Sequence, residues 1–134
     1  MNSERFDKHT VMSYWRTEAE EALVVAQHLM ETGDYSYALF FGHLAVEKLL
    51  KALYAWERDD HAPPTHNLQR LALACGLPLD EARTEMLLAI TEFNLEARYP
   101  DLKRTFRVRC TRDYAQLQLA RVEETMAWLR SRLM

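Results

Sequence analysis

Glycine and proline are scarce in this chain, three and four among 134 residues. So few turn formers exclude collagen-like and linker-rich classes and argue against an all-β chain of many short strands. Three glycines also cannot build a GxGxxG or GxxxxGK[ST] phosphate loop, and neither motif occurs. Cysteine is limited to Cys75 and Cys110, too few for a disulfide framework, and neither has a neighbouring His to activate a thiolate. HExxH, GxSxG and CxxC are missing as well. There is no apolar run of about 18 residues, the length at which a membrane span is expected. Met1 to Lys8 is polar and charged with no apolar stretch behind it, unlike a secretory signal. The chain therefore reads as cytoplasmic, with no membrane partner.

What remains is 49% hydrophobic and 28% charged residues, in a length that suits one domain spanning 1–134 with its core at about 13–131. The apolar period is helical nearly throughout. Trp15, Ala19, Ala22, Leu23, Ala26, Leu29 and Met30 share one face of a first helix from about Val11, after a loosely docked start. Gly33 suits its C-terminal cap and Asp34 the N-cap of a second helix, Tyr35 to Arg58. Pro63-Pro64 requires a loop. A short third helix follows, at about Asn67 to Cys75, for which Thr65 or His66 sits at the N-cap position. Asp80 opens a fourth, ending near Ala97 and apolar almost all round, as a central or subunit-contacting helix would be. Pro100 closes it, and 101–111 shows no clear period and reads as a loop. The last helix starts near Thr111 or Arg112, with Ala115, Leu119, Val122, Met126, Leu129 and Leu133 as its stripe. The expected fold is all-α, an up-and-down bundle of four long helices plus one short helix.

Three segments carry residues that a core does not explain. On the second helix, Leu39, Gly42, Val46, Leu49, Leu50 and Leu53 form the core side. Phe40, His43, Glu47, Lys51, Tyr54 and Arg58 fall on another. That second side is either a wet polar seam in a cleft or a plain Glu47/Lys51 i,i+4 pair with a locally bonded His43. His43 and Glu47 alone are too few for a metal site. In Pro63-Pro64-Thr65-His66-Asn67-Leu68, His66 is a poor cap and so a site candidate. From Arg98 to Arg112, six Lys/Arg and one acid, Asp101, give +5, leaving −8 on the rest of a chain whose net charge is −3. Lys103 and Arg104 lie within it, with Tyr99 and Phe106 as stacking rings. Such a segment suits phosphate, as nucleotide or RNA, or an acidic protein surface.

Together these segments resemble the HEPN domain family (higher eukaryotes and prokaryotes nucleotide-binding). The resemblance rests on Trp15 with the Glu/Ala-rich helix behind it, Gly33-Asp34-Tyr35-Ser36-Tyr37-Ala38, and the run from His43 to Ala52. Pro64-Thr65-His66-Asn67-Leu68 and Ala97-Arg98-Tyr99-Pro100-Asp101 complete it. It implies an all-α bundle that forms homodimers and accompanies a minimal nucleotidyltransferase in two-gene modules of toxin–antitoxin type. Ribonuclease members carry Arg followed after four to six residues by His. No Arg of this chain has a His at that spacing. The resemblance therefore implies a non-catalytic branch, without metal or cofactor, with His43, Glu47, Lys51, His66, Arg98, Tyr99, Lys103 and Arg104 as nucleotide-binding positions. In this reading they converge on a cleft between the second helix and the ends of the third and fourth, where Arg98 and Lys51 contact phosphates and Tyr99 stacks on a base. The alternative is a metal-independent ribonuclease using His43 or His66 with Arg98.

Overall fold

The computed structural model describes residues 6–97 and 100–133, and every regular element among them is helical. Helix α1 (Lys8–Thr32) begins earlier than its apolar period suggests, because the Asp7 carboxylate accepts from the His9 and Thr10 amides at 3.1 and 3.3 Å. It ends on Gly33, whose φ of +86° is left-handed. The Gly33 and Asp34 amides there close onto the Met30 and Leu29 carbonyls. That two-residue turn folds α2 (Tyr35–Arg58) back along α1, and the two helices pack over their lengths. On its other side α2 meets α6 (Arg112–Arg132), through the stripe of Ala115, Leu119, Val122, Met126 and Leu129. As a result no residue of α2 from Ala38 to Trp56 is exposed.

Two short helices, α3 (Leu68–Ala74) and α4 (Glu81–Thr91), cover the remaining flank of α2. The N-cap of α3 is Asn67, not Thr65 or His66: its side chain accepts from the Arg70 amide at 3.0 Å. Thr65 acts one step earlier, accepting from the Asn67 amide at 3.2 Å. Arg58 closes the other end of α3 by donating to the Ala74 carbonyl at 2.8 Å.

The sequence expectation fails most clearly after α4. That helix stops at Thr91 instead of running to Ala97, because Glu92, Phe93 and Asn94 tighten to bonds with residues three positions back. The tightening turns Phe93 and Leu95 into the core. Nor is α4 buried all round: Leu87 and Ile90 are enclosed, but Leu88 is exposed. The segment expected as a loop is a helix, α5 (Pro100–Arg109). Proline suits a first helical position, where its missing N–H would have had no partner in any case. The lack of an apolar period has a simple cause. Only Phe106 of α5 is buried, packing on Phe93 with ring centroids 5.9 Å apart. Among the described residues, six α-helices of unequal length and one short 3-10 turn, Leu95–Ala97, therefore replace the expected four long and one short. No helix among the described residues is long and apolar enough to cross a membrane.

Ion pairs staple the outside of the bundle. Arg130 grips Glu20 through two hydrogen bonds of 2.7 Å, joining α6 to α1, and Lys48 reaches Glu18 at 3.3 Å. Helices α2 and α6 approach closely at Gly42, where an added Cβ would lie 3.2 Å from Val122 Cγ2. Gly42→Leu should thus destabilise the fold by about 1–3 kcal/mol through overpacking. The check is a lowered urea midpoint with an unchanged m-value, partly restored by a compensating Val122→Ala.

Candidate functional site

The polar side of α2 forms a hydrogen-bonded cluster that opens to solvent at His66. His43 is wholly buried and Glu47 nearly so, four residues along the same helix. Glu47 Oε2 takes Lys51 Nζ at 3.1 Å, and Glu47 Oε1 accepts from His66 Nδ1 at 2.9 Å. His43 Nε2 lies 3.7 Å from the same oxygen and donates to the backbone carbonyl of His66 at 3.3 Å. Because carbonyl and carboxylate oxygens only accept, Nε2 of His43 and Nδ1 of His66 must carry the protons. Lys51 also lies over the Trp15 ring, 4.9 Å from its centroid, so α1 roofs the cluster. The local sequence explains how the loop reaches in. Pro63-Pro64 stiffens the approach, the Thr65 amide turns back to the Pro63 carbonyl at 2.8 Å, and Asn67 begins α3. His66 is thereby held against α2 by side chain and backbone at once.

Burial pushes the His43 pKa below its ordinary value of 6.5, the Glu47 charge opposing only in part. Its Nδ1 has no hydrogen-bond partner among the described residues, as suits a neutral imidazole whose one proton is on Nε2. Phe40 stacks near the ring, centroids 6.5 Å apart. Of the two cysteines, Cys75 offers no ready nucleophile. Cys75 is buried with Sγ donating to the Leu50 carbonyl at 3.4 Å, and burial pushes its thiol up to about 12. Among the described residues no group of three His, Cys, Asp or Glu side chains is placed to hold a metal ion.

The eight residues singled out from sequence therefore divide. His43, Glu47, Lys51 and His66 come together, but with Lys51 committed to Glu47 and Trp15 it is not free for a phosphate. Lys103 and Arg104 lie elsewhere, on α5, lining a recess of about 240 Å³ with Pro100 and Arg107. Beside His66 there is instead a smaller recess of about 130 Å³, lined by Leu44, Asn94 and Glu96. Arg98 and Tyr99 lie outside the described residues. Of the set expected in one cleft, His43, Glu47, Lys51 and His66 thus form one cluster, and Lys103 and Arg104 line another recess.

Sequence reasoning missed Tyr37. The Arg107 guanidinium lies over its ring, 5.0 Å from the centroid, and donates to its hydroxyl. The available signals were the basic run containing Arg107 and the Gly33–Ala38 segment containing Tyr37, but nothing links the two residues across 70 positions.

Two outcomes follow from the cluster. His43 resists protonation in the folded protein more than in the unfolded chain, so the unfolded chain binds more protons on acidification. Stability should fall as pH drops below about 6.5. His43→Gln, which can still donate to the His66 carbonyl, should flatten that part of a plot of unfolding free energy against pH. Glu47→Ala strands Lys51 and should cost about 3 kcal/mol in denaturant titration.

A family model described as "HEPN domain" matches residues 12–132. No curated protein matches the chain. The crystal structure of TT1696 from Thermus thermophilus superposes with a TM-score of 0.76 at 25% sequence identity, covering 90% of this chain and 97% of that one. Helix order, the packed α1–α2 hairpin and a family match over nearly the full length agree, and the chain belongs to the HEPN domain family.

Proposed function

We propose that the protein is a non-catalytic HEPN module that holds a phosphate-bearing nucleotide on α5. The observation that carries the proposal is the α5 recess, in which Lys103, Arg104 and Arg107 converge. Neither Lys103 nor Arg104 forms an ion pair among the described residues, so both charges remain available to an anion. Asp101 is the one acid on that helix. Arg98 and Tyr99, which directly precede Pro100 in sequence, supply a further cation and a stacking ring in this reading. The family resemblance adds the remaining parts: a homodimer working with a minimal nucleotidyltransferase, in a module of toxin–antitoxin type.

One observation favours a second reading, a metal-independent ribonuclease. His66 is orientated by a buried carboxylate while two thirds of its side chain stays exposed. A histidine held at Nδ1 by a carboxylate has its Nε2 ready for proton transfer. Against this stands the missing Arg–His spacing.

The readings separate in two measurements. Calorimetric titration should give ATP or GTP binding that weakens about tenfold or more in Lys103→Glu/Arg104→Glu, with no RNA turnover by the wild type in the presence of a chelator. A folded protein that binds no nucleotide at millimolar ligand refutes the first reading. RNA cleavage in chelator that disappears in His66→Ala establishes the second.

A further inference from the structure

The α5 recess does not end at Arg107. That side chain also lines a second recess of about 240 Å³, formed with the turn from Gly33 to Tyr37 and with Cys110. Gly33 and Tyr35 in turn border a third, of about 470 Å³, which reaches Arg112 and Gln116 at the start of α6. The outer two share no residue with each other, whereas each shares residues with the middle one. The three therefore adjoin in series, a trough interrupted at Arg107 and at the Gly33–Tyr35 turn, from α5 across the α1–α2 turn to α6.

Its lining is ordered. Lys103, Arg104 and Arg107 line one end, Arg107 also borders the middle recess, and Arg112 stands at the other end. Arg107 follows Lys103 by one helical turn, about 6 Å of rise. Cations at intervals track a chain of phosphates, whereas one triphosphate needs them gathered in one place. Between the cations lie Tyr35 and Tyr37, the latter 43% exposed. Tyr37 also fixes the Arg107 guanidinium, whose plane serves as a further stacking surface. Two acids, Glu31 and Asp34, border the same trough. They repel phosphate locally, but a carboxylate accepts from the exocyclic amines of bases, so they suit the base side of a strand.

We infer that this trough is a binding site for single-stranded nucleic acid several nucleotides long, of which the α5 recess holds one end. The inference rests on the α5 phosphate-binding reading and extends it from a nucleotide to a strand. The strand's phosphates follow Lys103, Arg104, Arg107 and Arg112, and its unpaired bases reach the tyrosines. A duplex keeps its bases stacked internally and cannot offer them to those rings.

The test is fluorescence anisotropy of the full chain with a labelled RNA strand of mixed sequence, about ten nucleotides long. ATP, the matching duplex and the DNA strand serve as competitors. The RNA strand should bind about tenfold or more tighter than ATP, and the duplex more weakly than the strand. Four phosphate contacts should give a slope near −3 for log affinity against log salt. Arg112→Ala should weaken strand binding about fivefold and bring the slope to about −2, leaving ATP binding unchanged, and Arg112→Lys should restore the slope. Equal affinity for strand and ATP, or strand binding indifferent to Arg112→Ala, overturns the trough while leaving nucleotide binding on α5 intact. Binding of neither overturns both. Equal competition by the DNA strand supports a site blind to the sugar. Failure of the DNA strand to compete supports one that reads the 2′-hydroxyl.

Discussion

Helix α2 has almost no face left for water, and the rest of the structure follows from that. With α1 on one side, α6 on another and α3 with α4 on the remaining flank, any polar group on its middle turns must find partners within the protein. Glu47 does so through Lys51 and His66, and His43 through the His66 carbonyl. The cost of leaving a carboxylate unpaired at that depth holds the Pro63–Asn67 loop in place and, through it, the start of α3. The cluster is in this sense a strap between loop and central helix. It uses the polarity that, in sequence, looks like a ligand-binding seam.

The helix least committed to the core carries the opposite character. Burial of Phe106 is worth about 1.5–3 kcal/mol and anchors an α5 that otherwise presents Arg104, Arg107 and Arg109 to solvent. The cations thus lie at the periphery, where hydration keeps them charged at little cost, and the acids balancing them are spread over the bundle. A net charge of −3 conceals this division. The buried cluster maintains the fold, and the basic surface is free to meet a ligand.

Much of the fold was legible in the sequence. The bounds of α2 follow from Gly33-Asp34 at one end and the loop prolines after the other. The α6 stripe follows from a plain helical period, Asp80 caps the helix it was expected to cap, and α6 starts at Arg112, within the expected bounds. The stretch from Thr91 to Arg109 was not legible. A switch to tighter turns after Thr91 leaves no mark in residue type, and a helix held by one buried aromatic has no apolar period to detect. The site was legible in part. Spacing places His43, Glu47 and Lys51 on one face, and the poor capping ability of His66 marks it for another role. The Glu47–Lys51 pair is an i,i+4 contact that the spacing already offers, whereas the approach of His66 to Glu47 and of Arg107 to Tyr37 depends on tertiary packing between elements, which no local pattern encodes.

The central claim is that ligand phosphate is held by α5 while the His43–Glu47–Lys51–His66 cluster maintains the fold. Amide chemical-shift mapping by NMR during titration with ATP tests it most directly, because it reports both regions in one experiment. The account predicts saturable shifts for Lys103 to Arg107, with the amides of Glu47, His66 and Asn67 unmoved. Shifts centred on His66 and the Asn94–Glu96 recess, with α5 silent, would contradict it.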